Sequence, residues 1–107
     1  MTDIEARFEQ EMIEKVYRGA GRETGYWAGY FLRAVKQHGG VGAARRLLRR
    51  DGVSHGLAKL ADMNRLDLAM ETVVLDPVYE SLFTTAERAA AARHLEAARV
   101  AQPRAPA

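Results

Sequence analysis

Apolar residues recur along most of this chain at the spacing of a helix, and no segment alternates apolar and polar positions as a strand does. Ile4, Phe8, Met12 and Val16 return every four residues, with Ile13 and Tyr17 beside them, which predicts an amphipathic helix over 3–18 closed by Gly19 and Gly21. Thr24 reads as the cap of a second helix carrying Trp27, Tyr30, Phe31, Ala34 and Val35, which stops at Gly39-Gly40. A third, short helix is expected over 41–50, with Ala44, Leu47 and Leu48 on its apolar side. Ser54 caps a fourth through Leu57, Leu60 and Ala61 to about Asn64, and Asp67 caps a fifth over 68–75. Asp76-Pro77 opens a short turn of helix, because proline suits the first helical position and aspartate caps it. Thr84 followed by Glu87 is a capping box that starts an alanine-rich helix reaching about Val100.

This pattern predicts an all-α fold, a compact single-domain bundle of about six short helices spanning 1–101, with Gln102–Ala107 a disordered tail. Phe8, Phe31, Leu48, Leu57, Leu60, Val74, Leu82 and Leu95 each sit on the apolar stripe of their own helix and are expected to meet in one core. A length of 107 residues with 48% hydrophobic and 28% charged residues fits one globular domain.

Composition removes several kinds of chemistry. The chain has no cysteine, so disulfides, thiolate metal sites and cysteine nucleophiles are out. No apolar run approaches the roughly 20 residues of a membrane span, and the acidic start does not read as a secretory leader, so a cytoplasmic location is expected. Charge is unevenly spread. Residues 1–14 hold five acids against Arg7, whereas 15–50 hold nine bases against Glu23. Such asymmetry marks a candidate binding face.

The stretch from Gly39 through Leu95, with GGVGAARRLL, GLAKLADMNRLDLAMETVVLDPVYESLF and TTAERAAAARHL, together with Tyr26, Phe31 and Val35 upstream, resembles an uncharacterised helical domain that recurs in bacterial proteins. That domain often lies near the C-terminus of longer chains, some linked to mobile elements or phage defence. The resemblance covers roughly residues 8–98 and implies an accessory module more than a catalytic one.

The residues themselves point the same way. His38, His55 and His94 have no second ligand at zinc spacing, so no metal and no cofactor is expected, and all three read as structural or surface residues. Asp51, Ser54 and His55 are near one another in sequence, but no nucleophile elbow surrounds Ser54, which reads better as a helix cap. Gly19, Gly21 and Gly25 lack the lysine and preceding strand of a phosphate loop. Arg65 is expected to reach Glu71 or Asp67 and lock the corner between the fourth and fifth helices, a partner-facing role for the three being the alternative. The chain is therefore expected not to be an enzyme.

Two surfaces remain as candidate sites. Tyr26, Trp27, Tyr30 and Phe31 lie too close together for all to be buried. Phe31 and Trp27 are expected to pack inward and Tyr26 or Tyr30 to reach a partner, which makes Tyr26, Trp27 and Tyr30 the candidate protein interface, for a partner or a second copy. The acidic first helix is expected to adjoin it. Arg45, Arg46, Arg49 and Arg50 fill the side of the third helix opposite its apolar residues and form a candidate anion or nucleic-acid site. The reading is a non-enzymatic protein-interaction module, with phosphate-backbone binding to nucleic acid as the alternative. No small-molecule substrate is evident.

Overall fold

The computed structural model describes residues 2–101, and all its regular elements are helical. The tail read as disordered, 102–107, lies outside the described residues. Helix α1 (Asp3–Glu11) starts on a capping box between Thr2 and Glu5. It runs on without interruption into a π-helical segment, Met12–Gly19, and then α2 (Ala20–Thr24). The expected stop at Gly19 and Gly21 does not occur; the helix ends at Gly25, which takes the left-handed conformation at φ 75°. Gly21 serves a different purpose. A Cβ there would lie 2.4 Å from the Trp27 ring, so the missing side chain is what lets the indole rest against the helix.

Thr24 therefore sits at a helix end, not a start. Its hydroxyl donates to the Ala20 carbonyl and accepts from the Tyr26 amide. After an extended link comes α3 (Gly29–Leu48), broken at Gly39, whose φ 75° and ψ 168° are open only to glycine. The break falls where the glycine pair predicts it. Its cause is the crossing of α1: a Cβ on Gly40 would lie 2.7 Å from the Glu9 Cα, and the Gly40 amide donates to Glu9 Oε1 at 2.9 Å. The Glu9 carboxylate thus caps the restarted helix, where an anion suits the dipole.

Helix α4 (His55–Asp62) is capped by Ser54, whose Oγ accepts from the Leu57 amide. It ends in a Schellman arrangement around Asn64, at φ 56°, with the Arg65 amide donating to the Leu60 carbonyl. The expected fifth helix is shorter and later than its pattern. Leu66–Leu68 is a 3₁₀ turn and α5 covers only Met70–Val74, with Ala69 in the cap position. Asp67 does not cap it, because Arg65 takes both carboxylate oxygens. A 3₁₀ segment, Pro77–Leu82, is capped by Asp76, and the Thr84–Glu87 box opens α6 (Thr85–Ala101).

The core is two clusters where one was expected. The larger gathers Phe8, Met12, Phe31, Leu48 and Val74 around Tyr79, with Leu82 packed against it. Phe8 meets the Tyr79 and Phe83 rings edge-on, at 5.1 and 5.2 Å. The smaller unites Leu57, Leu60, Leu68, Leu95 and Ala98 between α4 and α6. Leu75 packs against both. The expected members are all present but divided, because α4 reaches α6 beyond the span that α1 and α3 cover.

The α1–α3 crossing gives the clearest test of this packing. Gly40→Ala should cost about 1–3 kcal/mol in urea unfolding, since the obstacle is the Glu9 backbone. Gly29→Ala meets only the end of the flexible Arg33 side chain and should be neutral within about 0.5 kcal/mol. Equal effects would contradict the crossing.

Candidate functional site

Between the two clusters lies a cavity of about 300 Å³. Its walls come from both: Val16, Phe31 and Met70 on one side, Ala20, Leu57 and Leu60 on the other. It opens beside Tyr30 and the exposed loop Arg50–Gly52. The polar residues on its wall are few: Thr24, Tyr26, Tyr30, Arg50, Asp51, Ser54, Glu71 and His94.

Glu71 is the single buried charged residue among those described, at 7% exposure. It does not reach Arg65, whose partners are Asp67 and Glu23. Its Oε2 instead lies 2.9 Å from His94 Nδ1, and His94 Nε2 lies 2.8 Å from the Arg50 carbonyl oxygen. A carbonyl only accepts, so Nε2 carries a hydrogen, and the Nδ1–Glu71 contact places a second between ring and carboxyl group. The arrangement favours the charged ring, an imidazolium. The hydrogen bond to Glu71 raises its pKa above the usual histidine value, more than burial lowers it, and the Arg50 carbonyl adds to the rise. Three elements meet at this ring: the end of α3, α5 and α6. With both nitrogens donating, His94 in this state has no lone pair with which to accept a proton.

Tyr30, at the mouth, has its phenol pKa raised by burial first and by Tyr26 second. Ser54 is engaged as a helix cap, and the His55 ring stands edge-on to Tyr26 at 5.2 Å. These contacts draw neither residue toward Asp51 as a triad. Among the described residues no three histidine, aspartate or glutamate side chains gather as metal ligands.

The aromatic candidates divide. Tyr26 and Tyr30 frame the cavity, whereas Trp27 turns the other way, edge-on to Tyr17 at 5.6 Å and 50% exposed. Trp27 is thus not inward-packed as expected: it lies on the link before α3, outside any helical stripe. Phe31 is buried. The four arginines are all exposed, opposite the buried Ala44 and Leu48, but two of them are engaged within the chain. Arg45 pairs with Glu87 at 3.0 Å and donates to the Leu82 carbonyl, tying α3 to α6. Arg50 lies past the end of α3 and lines the cavity. Arg46 and Arg49 remain exposed, with no ion-pair partner among the described residues. On the acidic first helix, Glu5, Glu9 and Glu11 are all engaged within the chain, Glu11 accepting from the Tyr79 hydroxyl, whose pKa is pushed up to about 12 mainly by burial.

Compared with family models, with curated proteins and with solved structures, this chain finds no match.

The His94 environment has a direct pH consequence. Its folded pKa is raised, so its contribution is full below the unfolded value of 6.5 and is lost as pH climbs through the folded one. Urea stability should therefore fall with rising pH above 6.5 in wild type. His94→Leu should lower stability by about 3 kcal/mol or more at pH 6, by leaving Glu71 buried and unpaired, and should remove that pH slope. A slope unchanged in the variant would contradict the imidazolium.

Proposed function

We propose that the protein is a small accessory module of the bacterial cytoplasm that works by binding a protein partner or a second copy of itself, not as an enzyme. One observation carries this reading. Trp27 is seated on Gly21 and Tyr17, which fix its ring, yet half of its surface faces water. A tryptophan packed on one side and half exposed is a favoured anchor of protein interfaces, because it buries large area at small entropic cost. Tyr30, 36% exposed at the start of α3, is a second large side chain open to solvent. The resemblance of the chain to helical domains of mobile-element and defence proteins fits the same role.

A photocrosslinking phenylalanine analogue at position 27 or 30, in the native cells, should give a discrete adduct. The same analogue at Val100, 74% exposed on α6, should give none. Trp27→Ala should weaken that association by about 2 kcal/mol. No adduct at 27 or 30, with a monomer by light scattering, contradicts the reading.

The exposed, unpaired Arg46 and Arg49 favour a second reading, weak contact with the phosphates of nucleic acid. With Arg45 held by Glu87, about two phosphates are neutralised, so the logarithmic salt slope on duplex DNA should be about −2 at 0.9 per contact. Fluorescence anisotropy at several salt concentrations measures it. Arg46→Gln with Arg49→Gln should abolish the binding, and a wild type silent at low salt excludes it.

A further inference from the structure

The same cavity carries an inference separate from the protein interface, because Trp27 points away from it. Three features describe what would fill it. First, size: an apolar cavity of about 150 Å³ holds benzene, so about 300 Å³ has room for a body about twice as large. Second, of the eight polar residues on the wall only Glu71 is buried. Glu71 gives Oε2 to His94, but Oε1 accepts no hydrogen bond among the described residues, although the side chain is more than nine-tenths buried and lines the cavity. Arg88 Nε is the one sealed polar side-chain atom without a partner among the described residues, so Glu71 Oε1 is open to the cavity, where a donor from an occupant takes the place of water. Third, charge: Glu71 is balanced by the His94 imidazolium, and at the mouth Arg50 stands next to Asp51. The cavity thus offers no net charge to attract an ion.

We propose that the cavity between the two core clusters binds a neutral, mainly apolar small molecule of about two fused rings that carries one hydrogen-bond donor, directed at Glu71 Oε1. The donor belongs to a hydroxyl or an aromatic N–H. An ammonium would compete with His94 for the charge of Glu71, and a carboxylate would meet an acceptor where a donor is needed.

Three probes with the same body separate the possibilities: 2-naphthol, 2-methoxynaphthalene and 2-naphthoate, each titrated into the full chain and followed by amide and His94 ring NMR shifts. 2-Naphthol should bind saturably and move the His94 resonances. The methoxy compound, which keeps the ring but loses the hydrogen, should bind about tenfold more weakly or worse, and the naphthoate should not bind. Glu71→Gln should narrow the difference between the first two. Should that variant not fold, Val53→Phe fills the cavity from a loop and should abolish 2-naphthol binding while leaving the far amides of α1 in place. No saturable binding of 2-naphthol, as expected of a cavity holding only water, overturns the proposal. Equal binding of naphthol and methoxynaphthalene removes Glu71 from it, and tighter binding of naphthoate makes it an anion site on Arg50. None of these outcomes touches crosslinking at Trp27, so the two readings fail separately.

Discussion

The imidazolium of His94 is where the helices of this protein are fastened to one another. One nitrogen holds the carboxylate of Glu71 on α5 and the other the carbonyl of Arg50, two residues past the end of α3, while the ring itself belongs to α6. The bond holds the chain leaving α3 against α6, and α5, at five residues, is too short to persist without packing. An accepting carbonyl on one nitrogen and a carboxylate on the other both favour the doubly protonated ring. A charged pair in the interior is seldom the most stabilising solution available, but removing one member is costly, so the pair fixes a single arrangement of the three elements.

That arrangement also accounts for the cavity. The two apolar clusters are kept apart by the polar node and by the loop from Arg50 to Ser54, and the space between them is open where their side chains fall short of each other. Protein interiors are otherwise close-packed, so an opening of this size beside an incompletely bonded carboxylate is the feature of the molecule that packing does not explain. Tyr26 and Tyr30 stand at its mouth, Trp27 on the reverse side of the same short link, and the two surfaces are therefore built by consecutive residues.

Much of the fold is legible in the sequence because its signals are local. Ser54, Asp76-Pro77 and the Thr84–Glu87 box act within three or four residues, and each caps the helix its spacing predicts. Local signals fail where a nearer partner competes: Asp67 is taken by Arg65, and Thr24 bonds back into the helix it was expected to follow. The site was the least legible part. Glu71 and His94 are 23 positions apart, on different helices, and no motif joins them. The available hint was their phase. Glu71 lies on the stripe of Leu68 and Val74, and His94 on that of Ala90, Ala91 and Ala98, positions where a polar side chain must find a partner when buried. The arginine row misled for a related reason: helical phase places side chains around an axis but does not show that Arg45 meets Glu87 or that the helix ends before Arg50.

The most direct test of this account is the protonation state of the His94 ring, read from its two nitrogen-15 resonances by NMR across a pH titration. Both nitrogens should carry hydrogens at pH 6, each should couple to its acceptor, and the midpoint should lie above 6.5. A ring that is neutral at pH 7, with one bare nitrogen and a midpoint at or below the ordinary value, would contradict it.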